Sequence, residues 1–186
     1  MRDEEFLRSK VPMTKSEVRA ISLDKLQLTT KQHLLDIGAG TGSISLQATL
    51  EHPQLQVTAI ESNPDALDIM QKNMTHFKTT AIELITGEAP KAIPEATYDA
   101  IFVGGSGQQL AEIIKFAHAH LGSGGRLVLN FILLENAAAA YQLLQQVGFN
   151  DIEVIDVSVK RWHALGKGHF FKPQNPTIIM STTRED

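Results

Sequence analysis

The 186-residue sequence predicts an α/β fold, a doubly wound and mostly parallel seven-stranded sheet with helices on both faces and an antiparallel strand at its C-terminal end. Three observations predict it. Short β-branched runs alternate with longer amphipathic ones. The first apolar run leads straight into a glycine-rich turn and then a helix. The last two apolar runs have no convincing helix between them, so they must pair antiparallel or nearly so.

The first helix is announced by Pro12-Met13-Thr14-Lys15-Ser16-Glu17, where Thr14 is the expected N-cap and Glu17, three residues on, completes a capping box. Val18, Ile21, Leu23 and Leu26 supply its buried side. The run His33–Ile37 is the first strand, Gly38 to Gly42 the turn, and Ile44, Leu46 and Ala48 mark the helix after it. Residues 57–61 form a second strand. Asn63 then caps a helix with Pro64 in its first turn, where proline's missing N–H costs nothing, and Leu67, Met70 and Met74 face inward. Ile82–Thr86, Tyr98–Val103 and residues 126–133 are the third, fourth and fifth strands, the last two separated by a helix carrying Leu110, Ile113, Ile114 and Phe116. A helix over residues 135–147 closes at Gly148, and strands over 152–159 and 177–181 complete what reads as five βα units and a strand pair.

Composition sets outer limits. Hydrophobic residues make up 42% of a chain long enough to bury roughly 70% of its unfolded surface in one domain. The absence of cysteine excludes disulfides, thiolate metal sites and a cysteine nucleophile. A formal net charge of −4 disfavours indiscriminate binding to nucleic acid or anionic lipid. Asp3, Glu4 and Glu5 stand where a signal peptide would be basic, and no uninterrupted apolar run is long enough to span a membrane. The expectation is a soluble cytoplasmic protein of one domain over residues 1–186, without nucleic-acid or membrane partners.

Asp36-Ile37-Gly38-Ala39-Gly40-Thr41-Gly42 carries the strongest chemical signal. Glycines between a strand and a helix let the backbone approach a ligand, and the helix N-terminus offers free amides. A dinucleotide fingerprint would need glycine at position 43 or 45, and both are serine. The lysine of a phosphate-binding loop is missing as well. An acid followed by alternate glycines is the pattern of S-adenosylmethionine-dependent methyltransferases. A nicotinamide oxidoreductase is the less favoured alternative. Glu61, 23 residues after Gly38, ends its strand where an acid accepts hydrogen bonds from ribose hydroxyls. In Gly87-Glu88-Ala89-Pro90 the backbone around Ala89 suits an adenine ring better than the Glu88 side chain does.

The loop Gly104-Gly105-Ser106-Gly107, poor in side chains at the ligand-facing edge, suits a flat substrate or a flexible connection. Asn130 interrupts an apolar run and needs a hydrogen-bond partner. The histidines form no metal-ligand pattern, and no metal is expected. The segment 161–172 mixes cations and aromatics, and reads as a solvated hairpin or as a contact for an anionic substrate.

Taken together, Pro12-Met13-Thr14-Lys15-Ser16-Glu17-Val18-Arg19, the glycine turn through Ser43, Gly87-Glu88-Ala89-Pro90, Gly104-Gly105-Ser106-Gly107, Leu134-Glu135-Asn136 and Asn175-Pro176 resemble the decarboxylating cobalt-precorrin (carbon-15) methyltransferases of cobalamin biosynthesis. The likeness runs over nearly the whole chain. It implies a Rossmann-like class I methyltransferase domain in which an N-terminal helical segment, residues 1–30, covers the cofactor site. It also implies S-adenosyl-L-methionine contacts at Thr14, Gly38, Ala39, Gly40, Thr41, Gly42, Glu61 and Ala89, a tetrapyrrole substrate, and a homotetramer. Glu88 departs from the family, which often has aspartate there.

Methyl transfer to carbon relies on positioning more than on a strong base, and electrons left by loss of carbon dioxide pass into the conjugated macrocycle. No catalytic residue is singled out. Lys15, Arg19, Arg161 and Lys167 are the cations expected to hold substrate carboxylates, with Ser106 and Asn130 beside them. A class I methyltransferase acting on another small molecule, a protein or RNA is the competing reading.

Overall fold

The computed structural model describes residues 1–185 and contains a seven-stranded sheet beside a separate two-stranded one. The large sheet comprises β1 (His33–Ile37), β2 (Gln56–Glu61), β3 (Ile82–Thr86), β4 (Tyr98–Val103), β5 (Leu121–Phe131), β6 (Asn150–Val157) and β9 (Thr177–Thr183). Its order is β3-β2-β1-β4-β5-β9-β6. β1 pairs in parallel with both β2 and β4, so the strand order reverses beside β1, and β9 runs antiparallel to β5 and β6. A doubly wound sheet opens its ligand crevice at that reversal, beyond the carboxyl ends of the strands.

Alternation along the strands sorts side chains onto two faces. Leu34, Val57, Ala59, Ala100, Phe102 and Val128 join one core with residues of α1 (Ser16–Leu26), α2 (Ser43–Glu51) and α3 (Pro64–Phe77). Leu35, Ile37, Ile60, Ile101, Val103 and Leu129 join the other with α4 (Leu110–His120) and α5 (Leu134–Val147). Asp36 falls between Leu35 and Ile37 and therefore points to the α1–α2 face. Asn63 caps α3 as expected, its side chain accepting from the Asp65 amide at 2.9 Å with Pro64 in the first turn.

Two features depart from the sequence expectation. α1 begins at Ser16 with Lys15 at the N-cap, and no capping box forms. The Thr14 carbonyl instead accepts from Arg19 at 2.6 Å, and the Glu17 carboxylate pairs with Arg161 at 2.6 Å. β3 and β4 are joined without a helix. Residues 87–97 carry Pro90 and Pro94, which suit turns better than a helix interior, and Ile93 anchors the connection by burying itself in the second core. The segment between β6 and β9 takes the first of its two sequence readings, a solvated hairpin of β7 (Lys160–Leu165) and β8 (Gly168–Pro173), paired antiparallel and exposed at every residue. Among the described residues no helix is long and apolar enough to cross a membrane.

Residues 1–15 lie across the molecule as a strap with two anchors. Asn73 of α3, fully buried, accepts the Leu7 amide at 2.8 Å and donates to the Leu7 and Thr41 carbonyls. Arg19 of α1 is 0% exposed, and its guanidinium donates to the side-chain Oε1 of Gln47, to Asp3, and to the backbone carbonyls of Thr14 and Met1. It also lies 4.8 Å above the Phe6 ring.

Candidate functional site

A cavity of about 930 Å³ opens at the strand-order reversal, where the fold rule locates a ligand. Its floor is the turn from β1 into α2. Gly38 adopts φ +72° and lies so close to the β4 loop that a Cβ there would sit 2.7 Å from the Gly105 nitrogen. Only glycine permits both. The Gly38 and Ala39 amides bond back to the Ile60 carbonyl at 2.9 and 3.2 Å, tying the turn to β2.

Asp36, at the end of β1, is fully buried. The Ser45 hydroxyl from the first turn of α2 donates to its Oδ2, while Oδ1 has no partner among the described residues. Burial pushes this carboxyl up to about 6, against the opposing hydrogen bonds from Ser45, and the negative Glu61 adds to the rise. Thr41 Oγ1, also on the turn, is a second buried polar atom without a partner. Both residues line the cavity. Buried polar atoms left unpaired are costly, and a ligand that donates hydrogen bonds or brings positive charge removes that cost.

Glu61 closes β2 on the same wall. Its Oε2 accepts the Gly40 amide at 2.9 Å, and its Oε1 accepts the Ser62 and Asn63 amides at 2.8 Å each. These bonds fix the carboxylate at the cavity edge without burying it. Ala89 and Glu88 line the cavity after β3, and Gly104, Gly105 and Ser106 line it after β4. Asn130, near the end of β5, satisfies its amide by donating to the Ser22 hydroxyl of α1 at 2.9 Å, and it too reaches the cavity wall. The donor set suits a cationic, ribose-bearing cofactor: unpaired acceptor atoms at the floor, a fixed carboxylate at the rim, and backbone on either side.

Of the residues expected from sequence, Thr14, Lys15, Gly38, Ala39, Gly40, Thr41, Glu61, Ala89, Ser106 and Asn130 come together on this one cavity. Gly42 stands one step behind it, at the N-cap of α2, where a Cβ would meet Met70 at 2.8 Å. The structure places three expected substrate contacts off the cavity lining. Arg19 is wholly enclosed and its donors are taken by the strap and Gln47, so it holds the fold and not a ligand. Arg161 and Lys167 belong to the exposed β7–β8 hairpin and are not among the residues lining the cavity, and Arg161 is committed to Glu17 and Ser16. Arg8 and Lys10 do line the cavity. Sequence reasoning passes over them because they carry no pattern beyond their charge. Among the described residues no group of three or more His, Asp or Glu side chains could hold a metal ion.

Comparison with known proteins is consistent over the full length. Residues 5–184 match the family model described as a precorrin methyltransferase domain. The chain is 46% identical to the cobalt-precorrin-6B C(15)-methyltransferase (decarboxylating) of Salmonella typhimurium, covering 100% of this chain and 97% of that protein. Among solved structures, the precorrin-6y C5,15-methyltransferase of Geobacter metallireducens superposes with a TM-score of 0.92 at 34% identity, covering 98% of this chain and 97% of that one. The precorrin 8w decarboxylase of Methanobacterium thermoautotrophicum does so with a TM-score of 0.90 at 30% identity, covering 98% of each.

Proposed function

The chain belongs to the precorrin methyltransferase family, and from that premise we propose that it transfers a methyl group from S-adenosyl-L-methionine to carbon 15 of a cobalt-precorrin and removes carbon dioxide from an acetate arm of the macrocycle, as a step of cobalamin biosynthesis. The observation that carries the reading is the 46% identity, over all of this chain, to a relative named for both steps. When bound, the cofactor supplies an electrophilic methyl group on a sulfonium cation.

The chain's own residues do the rest by holding and orienting. Thr14, Gly38, Ala39, Gly40, Thr41 and Gly42 form the cofactor cradle, Glu61 takes the ribose hydroxyls, and the backbone at Ala89 meets the adenine. The support for this assignment is the pair of unpartnered buried atoms, Asp36 Oδ1 and Thr41 Oγ1, beside the fixed Glu61 carboxylate. Gly104, Gly105 and Ser106 leave a low wall against which a flat macrocycle can lie, and Asn130 adds a fixed amide beside it. Holding reacting atoms in line contributes much of the rate in such a transfer, which suits a cavity with few general bases.

The reading extends to the whole protein. Residues 1–186 act as one methyltransferase domain in which residues 1–30 cover the cofactor. The enzyme works in the cytoplasm without nucleic-acid or membrane partners, and assembles as a homotetramer. Support for assembly comes from the exposed apolar side chains Trp162, Leu165, Phe170 and Phe171 of the β7–β8 hairpin.

Incubating the purified protein with cobalt-precorrin-6B and methyl-labelled S-adenosyl-L-methionine tests the proposal. Label is expected in the macrocycle together with an equal amount of released carbon dioxide. Methylation without decarboxylation, or label passing instead to protein or RNA, overturns it.

A further inference from the structure

The charges that line the cavity are divided by position. Its acids, Asp36, Glu61 and Glu88, all stand at or just beyond the ends of β1, β2 and β3. Its cations, Arg8, Lys10 and Lys15, all stand on the N-terminal strap. The walls contributed by the β4 and β5 ends and by the approach to β9, including Ser106, Asn130, Gln174 and Asn175, carry no charged side chain.

We propose that Arg8 and Lys10, with Lys15 beside them, are the carboxylate-binding residues for the macrocyclic substrate, and that the strap between Leu7 and Thr14 is the element that presents them. The assignment rests on the function proposed above. A multiply carboxylated macrocycle entering this cavity meets repulsion along the β1–β3 side and neutral walls at β4 and β5. The strap is where its carboxylates find positive charge. None of the three cations has a salt bridge or a side-chain hydrogen bond among the described residues, in contrast to Arg19 and Arg161.

The strap is also a positioned element. Asn73 grips both backbone groups of Leu7, Arg19 grips the Thr14 carbonyl, and Met13 is buried between them. Pro12 passes over the glycine turn, close enough that its carbonyl would lie 3.4 Å from a Cβ on Gly40. Arg8 and Lys10 are therefore exposed side chains on a fixed backbone. That arrangement lets them meet an anion without first ordering the chain.

The test compares Arg8→Gln, Lys10→Gln and the double variant with the wild type in two ways. One is fluorescence titration with uroporphyrin, a multiply carboxylated tetrapyrrole, in the presence of S-adenosylhomocysteine. The other is the KM for cobalt-precorrin-6B, with S-adenosyl-L-methionine affinity followed by calorimetry. Each single change is expected to raise the uroporphyrin Kd and the KM about threefold, and the double change about tenfold, as for exposed ion pairs. The cofactor Kd is expected to stay within about twofold, and the salt dependence of uroporphyrin binding to become shallower.

Unchanged macrocycle affinity in the double variant overturns the proposal, as does loss of cofactor affinity in step with it. Turnover by the wild type with an unaltered KM in the double variant defeats the strap assignment alone. Strap-dependent uroporphyrin binding by a protein that leaves cobalt-precorrin-6B unmethylated supports the strap and defeats the functional reading. Neither binding nor turnover by the wild type defeats both.

Discussion

The hydroxyl of Ser45 donates to Oδ2 of Asp36 across the turn that joins β1 to α2, leaving the other carboxylate oxygen buried at the cavity floor without a partner. The arrangement stores a cost in the ligand-free protein. Burial raises the Asp36 carboxyl to about 6, above its ordinary value, so the folded state holds this proton more tightly than the unfolded chain does. For an acid shifted upward, stability is greatest while the group is protonated and falls as pH rises from the unfolded value through about 6. Of the charged groups around it, Glu61 is the one that adds to the shift.

Asp36→Asn should therefore stabilise the ligand-free protein at pH 7.5 by on the order of 1–3 kcal/mol, and the gain should shrink toward zero near pH 4. Urea unfolding of both proteins across that range reads the effect. The same substitution should weaken S-adenosyl-L-methionine binding about tenfold or more, because a cation bound nearby favours the ionised carboxylate. Equal pH dependence in the two proteins would show that Asp36 is not the titrating group.

Arg19 supports a second prediction, about stability and not chemistry. Its guanidinium, with no exposed surface, satisfies Asp3, Gln47 and the Met1 and Thr14 carbonyls at once. Truncation leaves those acceptors without donors and opens a void beside Phe6. Arg19→Ala should cost about 3–5 kcal/mol, as for other broken buried pairs, and lower Tm by on the order of 10 °C. Proteolysis should also attack residues 8–14 in the variant well before the rest of the chain. A loss below about 1 kcal/mol would refute the bracing role.

The seven strands of the large sheet, with β5 starting at Leu121, ahead of the expected residue 126, the Asn63 cap with Pro64, and the glycine turn at the reversal point were legible in the sequence, because each depends on local chemistry that sequence displays directly. Arg19 was not. A cation in an amphipathic helix reads as solvent-facing, and its burial depends on acceptors from residues 1, 3, 14 and 47, which only the tertiary fold assembles. The capping box at Thr14 did not form because α1 starts one residue further on, with Lys15 at the N-cap, and the Glu17 carboxylate pairs with the distant Arg161. In the hairpin, Trp162, Phe170 and Phe171 alternate with cations and histidines, so neither period marks a buried face. β7 and β8 emerge from their pairing with each other and not from a core.

That hairpin leads to the third prediction. A two-stranded ribbon is marginal by itself in water, yet this one exposes Trp162 at 61%, Leu165 at 67% and Phe171 at 59%. Trp162 stacks on His169 at 4.9 Å and meets the Phe171 ring edge at 5.0 Å, which holds the aromatic face together in one chain but leaves most of it in water. Burying such side chains against other copies contributes roughly 1.5–3 kcal/mol each, and several act together in every contact. If the hairpin joins the subunits, the double variant Trp162→Glu, Phe171→Glu should sediment as a monomer where the wild type sediments as an assembly. Its circular dichroism should be unchanged, because β7 and β8 lie outside both cores. A variant that keeps the wild-type mass would mean that the hairpin is not the subunit contact, and a wild type that is monomeric at micromolar concentration would remove the tetramer from the proposal altogether.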